Sequence, residues 1–163
     1  MIRPIRAADL PALKRFFAVL SPATRRLRFH ATLREVPEGL LREFTQPDRR
    51  EHVALIAEAQ APVAGEAPLL VGEARFVRSP AGDTAEFALV VADDWRRVGL
   101  GSSMMRTLVN HAGLCGIRRL CGDALIDNEA TRRFLRSLGA RRSGKMGRDD
   151  TVRLCLGTGE RHG

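Results

Sequence analysis

The segment that most restricts the fold of this chain is a glycine-containing turn between an apolar strand and an amphipathic helix. Residues 84–92 read TAEFALVVA, a run of strand length, and residues 96–103 read RRVGLGSS. Apolar side chains then recur at helical spacing from Leu100 to Cys115, and Gly116 follows as a stop signal. A strand that enters a helix through glycines leaves free N–H groups at the positive end of the helix dipole. The pattern therefore predicts a pyrophosphate-binding turn.

The side chains around this turn support an anion site. The residues that would contact a pyrophosphate are Arg96, Arg97, Gly99, Gly101 and Ser102. The alternative is a turn that only packs the helix against the sheet. A dinucleotide fingerprint is excluded, because it needs glycine at position 104 and the chain has Met104.

The order of the other elements predicts an α/β fold. Strand-like stretches occupy residues 2–6, 52–59, 69–78, 84–92, 117–125 and 151–156. Helix-start signals occur at Asp9, Ser21, Pro37 and Asn128, in addition to the helix after Gly99. At 163 residues the chain fits one domain, predicted over residues 1–156, with a frayed tail at residues 157–163.

The charge balance points to anionic ligands without choosing among them. Lys plus Arg total 27 and Asp plus Glu total 19, a formal charge of +8. The basic residues are spread through every element and aromatic residues make up 5%, so a nucleic-acid-binding module is disfavoured and no nucleic-acid partner is expected. No apolar run approaches the ~20 residues that span a bilayer, so no membrane partner is expected either.

The N-terminus and the cysteines favour a cytoplasmic location. The first residues, MIRPIRAADLP, contain no apolar stretch of the signal-peptide type. Three cysteines, Cys115, Cys121 and Cys155, make no disulfide framework and suit a reducing compartment. The spacing of His111, Cys115 and Cys121 is not that of a zinc site, so no metal is expected.

The motif Arg96-x-x-Gly99-x-Gly101 resembles the acyl-CoA loop of the GNAT superfamily of N-acetyltransferases, written Q/R-x-x-G-x-G/A. Residues 128–139 resemble the second cofactor motif of that superfamily, and the likeness runs from about residue 2 to residue 156. The phrases RPIRAADLPAL, LSPATRRLRF, LLREFTQPD and AEFALVVADDWRRVGLG are similar to bacterial protein lysine acetyltransferases that modify acyl-CoA synthetases. The resemblance implies a mixed, mainly antiparallel central sheet flanked by helices on both faces. It also implies direct acetyl transfer from acetyl-CoA to a primary amine.

The resemblance also implies which residues bind acetyl-CoA. The backbone of Leu89, Val90 and Val91 would lie beside the pantetheine arm, with an amide near Val91 polarising the thioester carbonyl. The pyrophosphate would be held by Arg96, Arg97, Val98, Gly99, Leu100, Gly101 and Ser102. Asn128 would contact the pantetheine, and Arg132 or Arg133 would reach the nucleotide end. The alternative role of Asn128 is that of a helix cap only.

Glu86 is the predicted general base. A lysine amine is mostly protonated at neutral pH, so its acetylation benefits from a base. Period-two alternation places Glu86 on one strand face with Ala88 and Val90. Burial of a carboxylate among apolar residues raises its pKa, which suits this role. The corresponding Glu of the resembled enzymes is their base. The alternative is a cross-strand ion pair with Arg78.

The general acid is where the sequence departs from the resembled superfamily. Many members carry a Tyr four residues before the glycine that ends the second motif, but this position is Leu135 and the chain has no tyrosine. Water would protonate the thiolate, or the thiolate would leave unassisted, since a thiol pKa is near ~8.5. Two alternatives remain: an acyl-CoA-binding regulatory domain without catalysis, and a small-molecule amine acetyltransferase. The expected partners are an acceptor protein lysine or a small amine, and the expected state is a monomer or a homodimer.

Overall fold

The computed structural model describes residues 1–61, 63–80, 82–144 and 150–159. In this part of the chain, seven strands form one sheet in the order β1-β2-β3-β4-β5-β7-β6. The strands are β1 (Ile2–Pro4), β2 (His52–Ala59), β3 (Leu69–Arg78), β4 (Thr84–Val91), β5 (Arg119–Leu125), β6 (Arg141–Arg142) and β7 (Thr151–Gly157). Neighbouring strands are antiparallel except β4 and β5, which are parallel. The expected mainly antiparallel central sheet is confirmed.

Helices cover both faces of the sheet, as expected. Within the described residues they are α1 (Leu10–Val19), α2 (Pro22–Phe29), α3 (Glu38–Thr45), α4 (Leu100–Leu114) and α5 (Glu129–Ser137). Short 3-10 turns at Ala7–Asp9 and Asp93–Trp95 precede α1 and the turn that leads into α4. No helix in the described ranges is both long and apolar enough to cross a membrane.

Two hydrophobic cores hold the layers together. On one face, α4 buries Met104 and Leu108 in a core that α5 joins through Leu135. On the other face, α1 and α3 bury Phe17 and Leu41. Each such side chain, when fully buried, contributes roughly 1.5–3 kcal/mol. Side chains of successive residues in the central strands pack into opposite cores, because side chains alternate between the two faces along a strand.

Two of the predicted helix-start residues, Ser21 and Asn128, cap their helices with a side chain. The Ser21 hydroxyl accepts the Thr24 N–H at 3.2 Å, and Pro22 follows as the first residue of α2. Asp9 does not cap α1 with its side chain. Its carboxylate instead accepts the Arg6 N–H at 2.7 Å and pairs with Arg3 at 2.8 Å, which fixes the chain between β1 and α1.

Four strand ends differ from the sequence prediction, one of them the end of β4 at Val91 rather than at residue 92. β1 ends at Pro4, and β5 begins at Arg119 because the Ile117 N–H bonds to the Ala112 carbonyl (3.0 Å) and closes the end of α4. Of the predicted tail at residues 157–163, Gly157 is the last residue of β7, and Thr158 donates its N–H to the Arg118 carbonyl at 2.9 Å. Residues 160–163 lie outside the described residues.

Candidate active site

The parallel strands β4 and β5 separate to form a cleft at the centre of the sheet. Residues 84–86 of β4 pair with residues 119–121 of β5. Beyond these pairs β4 stays bonded to β3 and β5 stays bonded to β7, so the two strands diverge. The space that opens between them is a cleft of about 620 Å³. Such a slot beside the glycine-containing turn is what binding of an extended thioester requires.

Phe87 and Gly122 lie where the two strands part. A Cβ added to Gly122 would lie 2.8 Å from the Phe87 ring, so a side chain there would collide with the ring. The Phe87 ring thus occupies the space beside β5 immediately after the last paired residues. The bulky Phe87 side chain of β4 therefore fits against β5 because position 122 of β5 is a glycine.

The turn into α4 borders this cleft through Gly99, Gly101 and Ser102. Gly99 is the N-cap residue and adopts a left-handed conformation with φ 83°, and Arg97 is also left-handed with φ 60°. The Ser103 N–H bonds to the Gly99 carbonyl at 3.0 Å. The amides of Leu100, Gly101 and Ser102 precede that bond, so helix geometry leaves them without a carbonyl partner inside α4. These amides and the helix dipole favour an anion at this point.

Arg96 is tied to the first helical layer. Its guanidinium donates to the Thr24 hydroxyl at 2.5 Å and lies 3.4 Å from the Asp93 carboxylate. Asp93 in turn accepts from the Ser21 N–H at 3.1 Å and from the Thr24 hydroxyl at 2.6 Å. Burial alone would raise the pKa of Asp93, but the hydrogen bonds of Thr24 and Ser21 and the charge of Arg96 bring it below its ordinary value. The network connects α2 to the turn that precedes α4.

Most of the predicted acetyl-CoA residues line the cleft. They are Leu89, Val90, Val91, Arg96, Arg97, Gly99, Gly101, Ser102 and Asn128. Three predicted residues, and also Arg132, which the sequence offered as the alternative to Arg133, are not among those that line it. Val98 is 66% exposed, and Leu100 packs against the core beneath α4. The Arg133 side chain is 79% exposed and lies 4.0 Å from Glu129. The side chains of these three residues therefore do not form the wall of the cleft.

Asn128 performs the capping role that the sequence suggested as its alternative. Its side-chain oxygen accepts the Thr131 N–H at 3.1 Å, and its amide donates to the Thr131 hydroxyl at 2.6 Å. Asn128 also borders the cleft. The cap fixes the side chain at the edge of the space between β4 and β5.

The predicted burial of Glu86 is wrong. The residue lies on the expected strand face and borders the cleft, but its side chain is 65% exposed. Glu86 is still paired with Cys121 of β5, but in the described part of the chain the core under α1 and α3 includes no residue of β5 or β7, so those helices do not cover this end of the strand face. Arg78 is not its partner: Arg78 pairs with Glu51 at 2.8 Å, whereas Glu86 accepts from Arg153 at 2.9 Å.

Sequence reasoning missed Asp123 and Arg153, which share this end of the cleft. The Arg153 guanidinium lies 3.2 Å from the Asp123 carboxylate and 2.9 Å from that of Glu86. Burial lowers the pKa of Arg153, but its hydrogen bond to Glu86 and the charge of Asp123 outweigh burial, so the net shift is upward. The three residues are far apart along the chain, and only the pairing of β5 with β4 and β7 brings them together.

A second missed feature is the buried carboxylate of Glu73. Its side chain is 0% exposed and pairs with Arg28 at 3.2 Å and with Arg75. Burial alone would raise the pKa of Glu73, but the charges of Arg75 and Arg28 lower it more. Arg75 also contacts the His52 ring (3.1 Å), and burial and the Arg75 charge lower the pKa of His52. Because Arg28 borders the cleft, this cluster anchors the α2 wall.

The sequence indicated no disulfide framework, but two of the three cysteines pair in the structure. Cys121 of β5 and Cys155 of β7 stand opposite each other in the antiparallel register and form a disulfide. Cys115 is free and partly buried at the end of α4. The pairing was invisible in the sequence because 34 residues separate the two positions. Among the described residues, no group of three or more His, Cys, Asp and Glu could hold a metal ion.

Comparison with known families agrees with this geometry. The acetyltransferase (GNAT) domain profile matches residues 1–141, most of the chain. The chain belongs to the GNAT acetyltransferase family. It is therefore an acetyltransferase, and acetyl-CoA is the acyl donor of that family.

Two relatives carry the same activity in their names. An acetyltransferase of Pseudomonas aeruginosa is 31% identical over 139 residues, which cover 85% of this chain and 73% of the relative. The acetyltransferase Pat of Mycolicibacterium smegmatis is 29% identical over 140 residues. That match covers 85% of this chain and 40% of Pat, so the chain spans less than half of the Pat sequence.

Solved structures share the fold over nearly the whole chain. The GNAT domain of PAT from S. lividans superposes with a TM-score of 0.85 at 25% identity, covering 96% of this chain and 89% of that one. A Salmonella typhimurium protein solved with its cofactor acetyl-CoA superposes with a TM-score of 0.74 at 21% identity, covering 98% and 94%. The resemblance to the GNAT superfamily and to its protein acetyltransferases is thereby confirmed.

Leu135 occupies the position at which many GNAT enzymes carry a tyrosine. Its side chain is buried, 3% exposed, in the core beneath α5. An apolar side chain cannot protonate a leaving thiolate. Leu135 is therefore not the general acid, and protonation of the thiolate by water or its unassisted departure stays a prediction from the sequence.

Proposed function

We propose that this enzyme transfers the acetyl group of acetyl-CoA to a primary amine, and that the acceptor is a protein lysine side chain. The observation that carries the proposal is the cleft between β4 and β5, with free helix-start amides at one end and Glu86 at the other. The acetyl-CoA bound to the Salmonella typhimurium structure supports the donor. The similarity to Pat and to the S. lividans PAT domain supports the acceptor class.

The proposed donor site runs along β4 to the start of α4. The amides of Leu100, Gly101 and Ser102, with Arg97 beside them, would hold the pyrophosphate. The backbone of Leu89 to Val91 would run along the pantetheine, and Asn128 would contact it from the opposite side. Arg96 shares the site but is already bonded to Thr24, so we assign it a role in shaping the turn as well.

The proposed reaction is direct transfer with Glu86 as the general base. The acceptor nitrogen attacks the thioester carbonyl carbon, a C–N bond forms, and the C–S bond breaks with its electron pair on sulfur. The proton lost by the nitrogen passes to Glu86, either directly or through one water molecule. The Val91 amide would stabilise the developing oxyanion. Glu86 is open to solvent, so it is able to return the proton to water between turnovers.

The substitution Glu86→Gln tests this role. We expect kcat/KM for the amine to fall by roughly 10²–10⁴-fold, the usual contribution of a general base. Acetyl-CoA affinity, measured by calorimetry, should stay within about twofold because the pyrophosphate end of the site is untouched. The matched control is Glu66→Gln, which removes an exposed carboxylate from the loop between β2 and β3.

Three outcomes would contradict parts of the proposal. Unchanged turnover in Glu86→Gln would exclude Glu86 as the base. A wild-type enzyme that binds acetyl-CoA but acetylates neither a lysine peptide nor a small amine would favour the regulatory alternative that the missing tyrosine suggested. Preference for a small amine over lysine peptides would reassign the acceptor. The cytoplasmic location stays a prediction from the sequence.

A further inference from the structure

Three charged side chains share one face of the sheet beside the proposed reaction centre. Glu86 stands next to Cys121 in the parallel register of β4 and β5, and Asp123 stands opposite Arg153 in the antiparallel register of β5 and β7. Asp123 is two residues beyond Cys121, so it points to the same side of the sheet as Glu86. All three charged residues border the cleft.

The Arg153 guanidinium lies between the two carboxylates. One nitrogen donates to Glu86 at 2.9 Å, and the other lies 3.2 Å and 3.3 Å from the two oxygens of Asp123. Two carboxylates therefore share one cation, and the cluster carries a net charge of −1. This charge is local and opposite to the formal +8 of the whole chain.

The cluster is open on the side of the cleft. The Glu86 side chain is 65% exposed and that of Asp123 is 26% exposed. In the described part of the chain, the core under α1 and α3 includes no residue of β5 or β7, so those helices do not bury this end of the face. The facing cation on the α2 wall is Arg28, which is already paired with the buried Glu73. The residual negative charge therefore faces the cleft.

We propose that Glu86 and Asp123 together bind the cationic amine of the acceptor, with Arg153 occupying the cation position until the acceptor enters. The inference rests on the proposed amine acetylation and names the chemistry of its acceptor, an alkylammonium group such as that of lysine. Entry of the ammonium brings the net charge of the cluster to zero. Asp123 retains its hydrogen bond to Arg153 or to the ammonium, and Glu86 takes the proton when the amine reacts. Asp123 is thus an acceptor-binding residue, distinct from the base.

The binding step can be measured without turnover. The probe is n-butylammonium chloride, a mimic of the lysine side chain, added to the enzyme saturated with CoA, and butan-1-ol is the uncharged control. The readout is the Arg153 Nε–H signal in the NMR spectrum, assigned as the signal that Arg153→Met lacks. We expect butylammonium, but not butanol, to shift this signal. Asp123→Asn should weaken the effect at least tenfold, and Glu66→Gln should not change it.

Kinetics with Nα-acetyl-lysine amide as the acceptor provides the second measurement. Asp123→Asn should raise KM for this amine at least tenfold while kcat changes by less than threefold, and Asp123→Glu should recover most of the loss. Glu86→Gln should lower kcat as well as raise KM, because Glu86 both binds the ammonium and takes its proton. If Asp123 were only structural, Asp123→Asn would lower the melting temperature and the acetyl-CoA affinity, and KM would not rise selectively over the change in kcat.

The outcomes separate this inference from the proposed function. Equal butylammonium binding by wild type and Asp123→Asn, or a loss confined to kcat, overturns the role of Asp123 even if the enzyme acetylates amines. Butylammonium binding that needs Asp123, in an enzyme without amine acetylation, retains the cation site and rejects the proposed function. Equal shifts from butylammonium and butanol show that charge is not recognised, which also overturns the inference.

Discussion

Gly99 is the residue whose backbone conformation most directly sets the amides of the donor site. Its φ of 83° lies in the left-handed region, and a Cβ there would meet no atom within 4 Å. Gly99→Ala therefore introduces conformational strain and no collision, at a cost of about 1–2 kcal/mol. We expect the variant to fold and to bind acetyl-CoA at least fivefold more weakly by calorimetry, because relief of the strain turns the amides away from the cleft.

The matched control for this prediction is Gly82→Ala in the turn between β3 and β4. Gly82 has φ 86° and equally open surroundings, but it does not border the cleft. The two variants should lose similar unfolding free energy in urea, whereas the donor affinity should fall in Gly99→Ala alone. Equal affinities in both would show that the turn is only structural.

Prediction from sequence at this scale succeeded for backbone features and failed for side-chain surroundings. Glycines at a strand–helix junction require a particular backbone, so the turn was predictable from Gly99 and Gly101. The exposure of Glu86 depends on which end of the sheet face the helices cover, and its partner Arg153 is 67 residues away in the chain. The alternation of side chains along β4 correctly placed Glu86 on its strand face, but it carries no information on the exposure of Glu86 or on its ion-pair partner.

At the scale of elements, the position of α2 depends on the buried carboxylate of Glu73. Glu73→Gln leaves Arg28 and Arg75 without an anion, and loss of one partner of a buried ion pair costs about 3–5 kcal/mol. The folded-state pKa of Glu73 lies below its ordinary 4.5, so the native state binds fewer protons than the unfolded state. The stability that the ionised Glu73 contributes to the fold is therefore fully present at a pH above its ordinary pKa of 4.5, and it is lost as the pH falls through the folded-state pKa.

Urea unfolding between about pH 7 and pH 3 checks this prediction. Wild type should lose stability below about pH 5 more steeply than Glu73→Gln, in which this titration is absent. Glu38→Gln is the control, because Glu38 also pairs with two cations, Lys14 and Arg42, but its side chain is 50% exposed. Glu38→Gln should change stability far less. Parallel acid profiles for wild type and Glu73→Gln would contradict the assigned role of Glu73.

At the scale of the whole molecule, the order of elements was predictable and their lateral arrangement was less so. Apolar alternation and caps gave helices and strands close to their observed bounds, because these signals are local. The register that joins β5 to β7 forms between segments separated by α5 and β6, and it alone brings Cys121 beside Cys155. The cysteine pairing and the cluster of Asp123 and Arg153 both follow from this register, which explains why both were missed.

The disulfide between Cys121 and Cys155 should contribute to the stability of the whole fold. Closing a loop across a separation of 34 residues lowers the entropy of the unfolded chain, which corresponds to about 3–4 kcal/mol. The double variant Cys121→Ser/Cys155→Ser should lose that unfolding free energy in urea, whereas Cys115→Ser, at a free and partly buried cysteine, should lose much less. Thiol titration of the unfolded protein without reductant should give one free thiol, and with prior reduction three. Three free thiols without reduction would show that the two cysteines stand opposite each other unbonded, and wild type would then gain no stability over its own reduced form.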